Sequence, residues 1–170
     1  MKRIIFIVCI LLVSNVCGCS SKNKYMSNWF NSEQEIADNM MQQITNICNE
    51  NDIEKFKNLF SKNSLKNVVD IDNQISSFFE FIDGDIKEFY GDCASSAENN
   101  HGSKKVELDG MYHISTTKNK YCVNFYMVYK NDDSPSDIGL YKIEIATEDT
   151  VNKEDFIWDT ADKGVFIEFK

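Results

Sequence analysis

The chain has 170 residues, 42% hydrophobic and 26% charged, with 18 basic and 27 acidic side chains for a net charge of −9. This composition excludes a disordered chain and fits one domain with a substantial core. The acidic balance argues against nucleic-acid binding by phosphate neutralisation and against electrostatic adhesion to anionic lipid.

The first residues have the layout of a secretory signal. Lys2 and Arg3 precede an apolar run over residues 4–13. The run fits an h-region of roughly 7–15 residues and is too short to span a membrane, which takes about 20. The tetrapeptide Val16-Cys17-Gly18-Cys19 follows. It resembles a bacterial lipobox, although Cys17 departs from the small residue expected there.

The resemblance implies that residues 1–18 are a lipoprotein signal peptide and that Cys19 carries the lipid. Acyl chains on Cys19 would anchor the protein to the outer face of the cytoplasmic membrane, because two or more chains hold firmly. Residues 19–31 would then form the lipidated tether before a single domain at 32–170. An ordinary secretion signal and a retained anchor are the alternatives.

Three helical segments are expected at 32–83. Ser32-x-x-Glu35 matches a capping box, and an apolar stripe at helical spacing follows it. Asp52 can cap the second helix, and Asp70 or Asp72 the third. Gly84 is a suitable stop after the third helix.

From residue 85 the apolar period changes to two, which indicates strands. The expected strands cover residues 86–97, 106–114, 121–129 and 138–147. A closing hairpin of residues 156–159 and 165–169 is predicted to complete the sheet.

Helices followed by strands predict an α+β fold, with N-terminal helices packed on a curved antiparallel sheet. This order resembles the nuclear-transport-factor-2-like, or cystatin-like, cone fold. More narrowly, residues 49–140 resemble an uncharacterised family of small anaerobe lipoproteins assigned to that fold. The segments that carry this resemblance are residues 47–60, 110–129 and 137–141.

Relatives with the cone fold include isomerases and dehydratases with polar side chains in an apolar pocket. The candidates for lining such a pocket are Tyr90, Asp92, His113 and Tyr126, and no residue is assigned a catalytic role. The strand pattern adds a condition: if Tyr112 and Ile114 face the core, His113 faces away from it.

The sequence indicates no cofactor and no metal site, because its two histidines and its cysteines lack zinc-ligand spacing. Cys48, Cys93 and Cys122 are expected to be buried thiols, with one disulfide as the alternative.

The leading hypothesis is therefore a lipid-anchored, extracytoplasmic protein that binds a small ligand or a protein partner without catalysis. An isomerase or dehydratase acting in the cone pocket is the second hypothesis. An envelope immunity or inhibitor protein is the third.

Overall fold

The fold is described from a computed structural model for residues 33–66, 68–158 and 163–168. Residues 32–170 form one compact unit. Four helices come first: α1 Glu33–Glu50, α2 Ile53–Lys57, α3 Lys62–Leu65 and α4 Ile71–Phe81. They are followed by strands β1 Glu88–Asn100, β2 Ser103–Ser115, β3 Lys120–Asn131 and β4 Gly139–Thr147, then helix α5 Glu148–Val151 and strand β5 Gly164–Glu168.

The helix starts follow local capping chemistry. The Asp52 side chain accepts a hydrogen bond from the Lys55 amide, as predicted for α2. Ser61 caps the short helix α3 in the same way, by accepting a hydrogen bond from the Ser64 amide. Asp70 occupies the N-cap position of α4, but it has a left-handed backbone and makes no side-chain cap bond. The capping box at Ser32 lies outside the described residues.

The five strands form one open sheet in the order β1-β2-β3-β4-β5. The first four strands pair antiparallel with their neighbours, whereas β5 pairs parallel with β4. The class is therefore α+β, as predicted, but the predicted closing hairpin is wrong. Residues 156–158 form no strand, and helix α5 lies on the crossover that leads to β5.

The core lies between the helices and one face of the sheet. Its largest fully buried side chains include Phe56 and Phe78 from the helices and Tyr112, Tyr121 and Phe125 from the sheet. Tyr121 and Phe125 belong to the hydrophobic core cluster. None of the helices in the described ranges is long and apolar enough to cross a membrane.

Candidate functional site: the outer face of the sheet

The turn between β1 and β2 sets the register of the candidate residues. His101 and Gly102 have φ values of 50° and 94°. Positive φ at both central residues is the requirement of the type I′ hairpin turn. The resulting register places Tyr90 directly opposite His113.

Residues of β2 alternate between the two faces of the sheet. Tyr112 is fully buried, and its hydroxyl donates to Asp38 Oδ1 of α1 at 2.8 Å. Ile114 is buried in the same core. His113 therefore points to the face turned away from the helices, which we call the outer face. This is the orientation that the strand pattern predicts.

All four candidate residues lie on this outer face. Tyr90, His113 and Cys122 form one cross-strand row, and Asp92, Met111 and Asn124 form the next. Tyr126 pairs with Asp109 one row further along. The four residues therefore do not line a pocket between helices and sheet, which is what the isomerase or dehydratase hypothesis requires of them.

The half of the outer face on β1 and β2 is open to solvent. Tyr90 is 65% exposed and Met111 44% exposed. The Tyr90 ring stacks on His113 with centroids 5.0 Å apart and an interplanar angle of 11°. Asp92 and Asp109 flank them and are exposed. We call Tyr90, Asp92, Asp109, Met111 and His113 the open patch.

The half of the outer face on β3 and β4 is covered. Cys122, Val128, Glu144 and Ala146 are buried there. Lys142 Nζ lies 3.1 Å from Glu144 Oε2, and Asn124 Nδ2 donates to the same oxygen at 3.1 Å. This ion pair is part of the fold's interior, since the Glu144 side chain is 1% exposed.

His113, Cys122 and Glu148 meet at the border between the two halves. His113 Nδ1 lies 3.4 Å from Cys122 Sγ and 3.4 Å from Glu148 Oε1. A thiol triad needs the nucleophile and the acid on opposite ring nitrogens, whereas here both share one. Burial, and then the charge of Glu148, raises the pKa of the Cys122 thiol to about 11. The arrangement therefore disfavours a thiolate nucleophile.

Tyr126 is held by contacts with Glu107 and Tyr141. Its side chain hydrogen-bonds to Glu107, and its ring packs edge-on against Tyr141 at 5.8 Å. Burial, and then the bond to Glu107, raises the pKa of Tyr126. Bonds from Lys105 and then from Tyr126 lower the pKa of Glu107, so this carboxyl stays ionised. The Tyr126 hydroxyl thus links β3 to β2 by a hydrogen bond, and its raised pKa makes it a poor general acid.

The helix-facing side of the sheet is filled rather than hollow around Tyr112. Gln34 Nε2 donates to Asp38 Oδ1 at 2.8 Å and to the Tyr112 hydroxyl at 3.2 Å. Phe125 stacks on Tyr112 with centroids 5.8 Å apart. A Cβ atom on Gly110 would come within 2.4 Å of the Phe125 ring. This packing leaves no space for a ligand beside Tyr112.

Two of the grooves at the surface of the described part fall within the volume range of ligand pockets, roughly 300–1,000 Å³. One of about 520 Å³ lies beside the open patch and is lined mainly by polar residues, including Glu88, Ser115 and Glu148. The other, of about 390 Å³, lies among residues such as Phe60, Lys62 and Ile138. Both are open to solvent, and neither brings the four candidate residues together.

The other residues considered in the sequence are the cysteines and the possible metal ligands. Cys48, Cys93 and Cys122 are free thiols, of which Cys122 is buried and the other two are half-buried. The described residues hold no group of three or more His, Cys, Asp and Glu side chains that could bind a metal ion. Cys19, the predicted lipidation site, lies outside the described residues.

The family assignment rests on a match over residues 43–148 to a family described as a domain of unknown function, DUF5104. The chain belongs to the DUF5104 family. The match begins within α1, ends at the first residue of α5 and contains the whole open patch. It confirms an uncharacterised family, as the sequence resemblance implies. No curated protein matches the chain.

Proposed function

We propose that this DUF5104 protein is a lipid-anchored, extracytoplasmic binding protein that holds a protein partner on its open patch without catalysis. The observation that carries the proposal is the exposure of Tyr90 and Met111 side by side on an uncovered sheet face. Aromatic residues and methionine are enriched in protein interfaces, and tyrosine is common among the few residues that dominate binding energy.

The charges around the open patch indicate which surface charge the partner would carry. Asp92 and Asp109 flank Tyr90 and Met111, and the chain as a whole is acidic. Asp109 is partly desolvated, which raises its pKa, while Lys142 acts in the opposite direction. A partner with an apolar centre and a basic rim would complement this surface. The exposed position of the patch favours a protein over an enclosed small ligand, because ligand sites are concave and bury most of the ligand.

The α+β order, the helix-to-sheet packing and the antiparallel first four strands support a further proposal. We assign the fold to the nuclear-transport-factor-2-like cone, with the open patch on its convex side. The proposal places the binding surface on the outside of the cone, where the enzymes of that fold do not carry out their chemistry.

The partner is expected to crosslink from the centre of the patch. A photo-crosslinking amino acid at position 111 of the full-length chain, in the cells that produce it, should give a discrete adduct. The same amino acid at Val69, which is 82% exposed and outside the sheet, is the matched control. Equal adducts from both positions, or none from position 111, would contradict the proposal.

The crosslinked partner then permits an affinity test. Tyr90→Ala is expected to weaken its binding about 30-fold, since a hot-spot residue contributes about 2 kcal/mol or more. Val69→Ala should leave the affinity unchanged. Binding that tolerates Tyr90→Ala would move the site away from the open patch.

The anchor is tested separately by metabolic labelling with a lipid analogue. We expect the full-length protein to be labelled and Cys19→Ala to lose the label completely, because the thiol of Cys19 is the attachment atom. Cys17→Ala and Cys48→Ala should retain it. Unchanged labelling of Cys19→Ala would refute the lipid anchor and leave the binding proposal standing.

A further inference from the structure

Strand β1 is an edge of the sheet, and helix α1 covers only its first half. Gln34 Nε2 donates to the Gly91 carbonyl at 3.2 Å, and Gln34 Oε1 accepts from the Cys93 amide at 3.1 Å. Asn49 binds the backbone of Ile86, two residues before β1 begins, in the same two-point manner, at 3.0 and 2.8 Å. The side-chain amide of Gln34 thus takes the place of a neighbouring strand along the first half of this edge, and Asn49 holds the segment that leads into it.

The second half of β1 has no such cover. Residues 94–100 are all exposed. Ser95, Ala97 and Asn99 share the parity of Gly91 and Cys93, so their amides and carbonyls also point away from β2. Among the described residues, none outside β2 hydrogen-bonds to this backbone. We call residues 94–100 the bare edge.

The bare edge also lacks the features that usually protect an edge strand. Such strands are shortened, bulged, or interrupted by proline or lysine. Residues 94–100 contain neither proline nor lysine, and their pairing with β2 runs without a register shift. The small side chains of Ala94, Ser95, Ser96 and Ala97 leave the backbone accessible to another strand.

We propose that a second copy of this chain pairs with the bare edge, antiparallel and about a two-fold axis at Ala97. Residue 97 is the midpoint of residues 94–100. In this register, each residue of the bare edge therefore pairs with a residue of the bare edge in the second copy. Ser95 of one copy then exchanges backbone hydrogen bonds with Asn99 of the other. The pairing stops before Cys93, whose amide already donates to Gln34.

The charges of the strand favour this register over its neighbours. Glu98 is the only charged residue in the bare edge. About an axis at Ala97 it faces Ser96 of the second copy, a small uncharged side chain whose hydroxyl donates to Glu107 of its own chain. An axis at Glu98 would place two carboxylates opposite each other, which is destabilising. An axis at Ser96 would bring Asn100 of the second copy against Asp92 and the edge that Gln34 covers.

The resulting dimer would join two five-stranded sheets into one of ten strands. The even-numbered side chains of both β1 strands lie on the outer face, so the two open patches would lie on one continuous surface. The dimer does not depend on the proposed partner, because the bare edge shares no residue with the open patch.

Charge substitutions test the dimer and its register by sedimentation of the full-length protein in mild detergent. The native chain is expected to be dimeric. Ser96→Glu places a carboxylate opposite Glu98 of the second copy and should weaken the dimer about ten-fold or more. Adding Glu98→Lys should restore it. Thr117→Glu, an exposed change in the β2–β3 turn, is the matched control.

A proline substitution and a crosslink complete the test. Ala97→Pro removes an amide that points away from β2, so it should give a monomer with an unchanged unfolding midpoint. In a Cys93→Ala background, Ser96→Cys with Glu98→Cys should form an intermolecular disulfide, whereas Ser96→Cys alone should not. A native chain that sediments as a monomer at every concentration, or a dimer insensitive to both Ala97→Pro and Ser96→Glu, would overturn the proposal.

Discussion

Gly110→Ala is expected to destabilise the protein by about 3 kcal/mol, because overpacking a filled core forces side chains and backbone to shift. The added Cβ would lie 2.4–2.9 Å from three atoms of the Phe125 ring. That ring cannot retreat freely, since it stacks on Tyr112. Both aromatic side chains are fully buried. Urea and thermal unfolding of the full-length chain measure the loss, and a shift of roughly 10 °C in the midpoint is expected.

Two further variants separate this steric effect from a general effect of replacing glycine. Gly102→Ala adds a Cβ where no atom lies within 4 Å, although the φ of 94° is left-handed. It should cost only about 1 kcal/mol of backbone strain. Phe125→Leu in the Gly110→Ala background should recover part of the stability, because it removes the ring that clashes. A Gly110→Ala protein as stable as the native one would show that Phe125 does not fill this space.

The elements that sequence predicts best are those with a strong local signal. Helix α2 begins at Asp52 because its carboxylate caps the helix, and that residue is recognisable without a structure. The orientation of His113 follows from the alternation of Tyr112 and Ile114, which is a property of one strand alone. Local chemistry was therefore sufficient to place His113 outside the core.

The elements that sequence predicts poorly depend on contacts between distant residues. Residues 156–158 are apolar and β-prone like a strand but pair with no strand among the described residues, and β5 pairs parallel with β4 instead. Helix α5 is only four residues long, yet the side chain of Thr147 caps it, a signal that was available in the sequence. Gln34 hydrogen-bonds to Gly91 and Cys93 of β1, which lie 57 and 59 positions further along the chain. No local sequence pattern reveals contacts at that separation.

The structure places the four pocket candidates on one face of the sheet, but not in the enclosed pocket that the isomerase or dehydratase hypothesis requires. Tyr90, Asp92, His113 and Tyr126 do share one face, because antiparallel register brings the same parity together on β1, β2 and β3. Whether that face is enclosed depends on what packs against it. The helices pack against the opposite face, where Asp38 accepts a hydrogen bond from the Tyr112 hydroxyl. Three of the four residues, Tyr90, Asp92 and His113, therefore lie in the open patch that we propose as a binding surface.

Lys142→Met is expected to destabilise the protein by about 3 kcal/mol, because it removes the positive charge that lies against the buried Glu144 carboxylate. The Lys142 and Glu144 side chains are 18% and 1% exposed, and their charged atoms lie 3.1 Å apart. Met keeps most of the aliphatic volume of Lys142, so the change removes the charge with little change in packing. Urea unfolding at neutral pH measures the loss.

The double variant identifies the buried charge as the cause. Adding Glu144→Gln to Lys142→Met removes the negative charge of the buried carboxylate while keeping an acceptor for Asn124, which donates to Glu144 at 3.1 Å. Most of the lost stability should return, because a neutral buried pair avoids the desolvation cost. The exposed pair of Lys118 and Asp83 is the control, with side chains 60% and 52% exposed. Lys118→Met should cost about 1 kcal/mol or less. Equal losses of stability in Lys142→Met and Lys118→Met would mean that Glu144 is solvated. The half of the outer face on β3 and β4 would then not be buried.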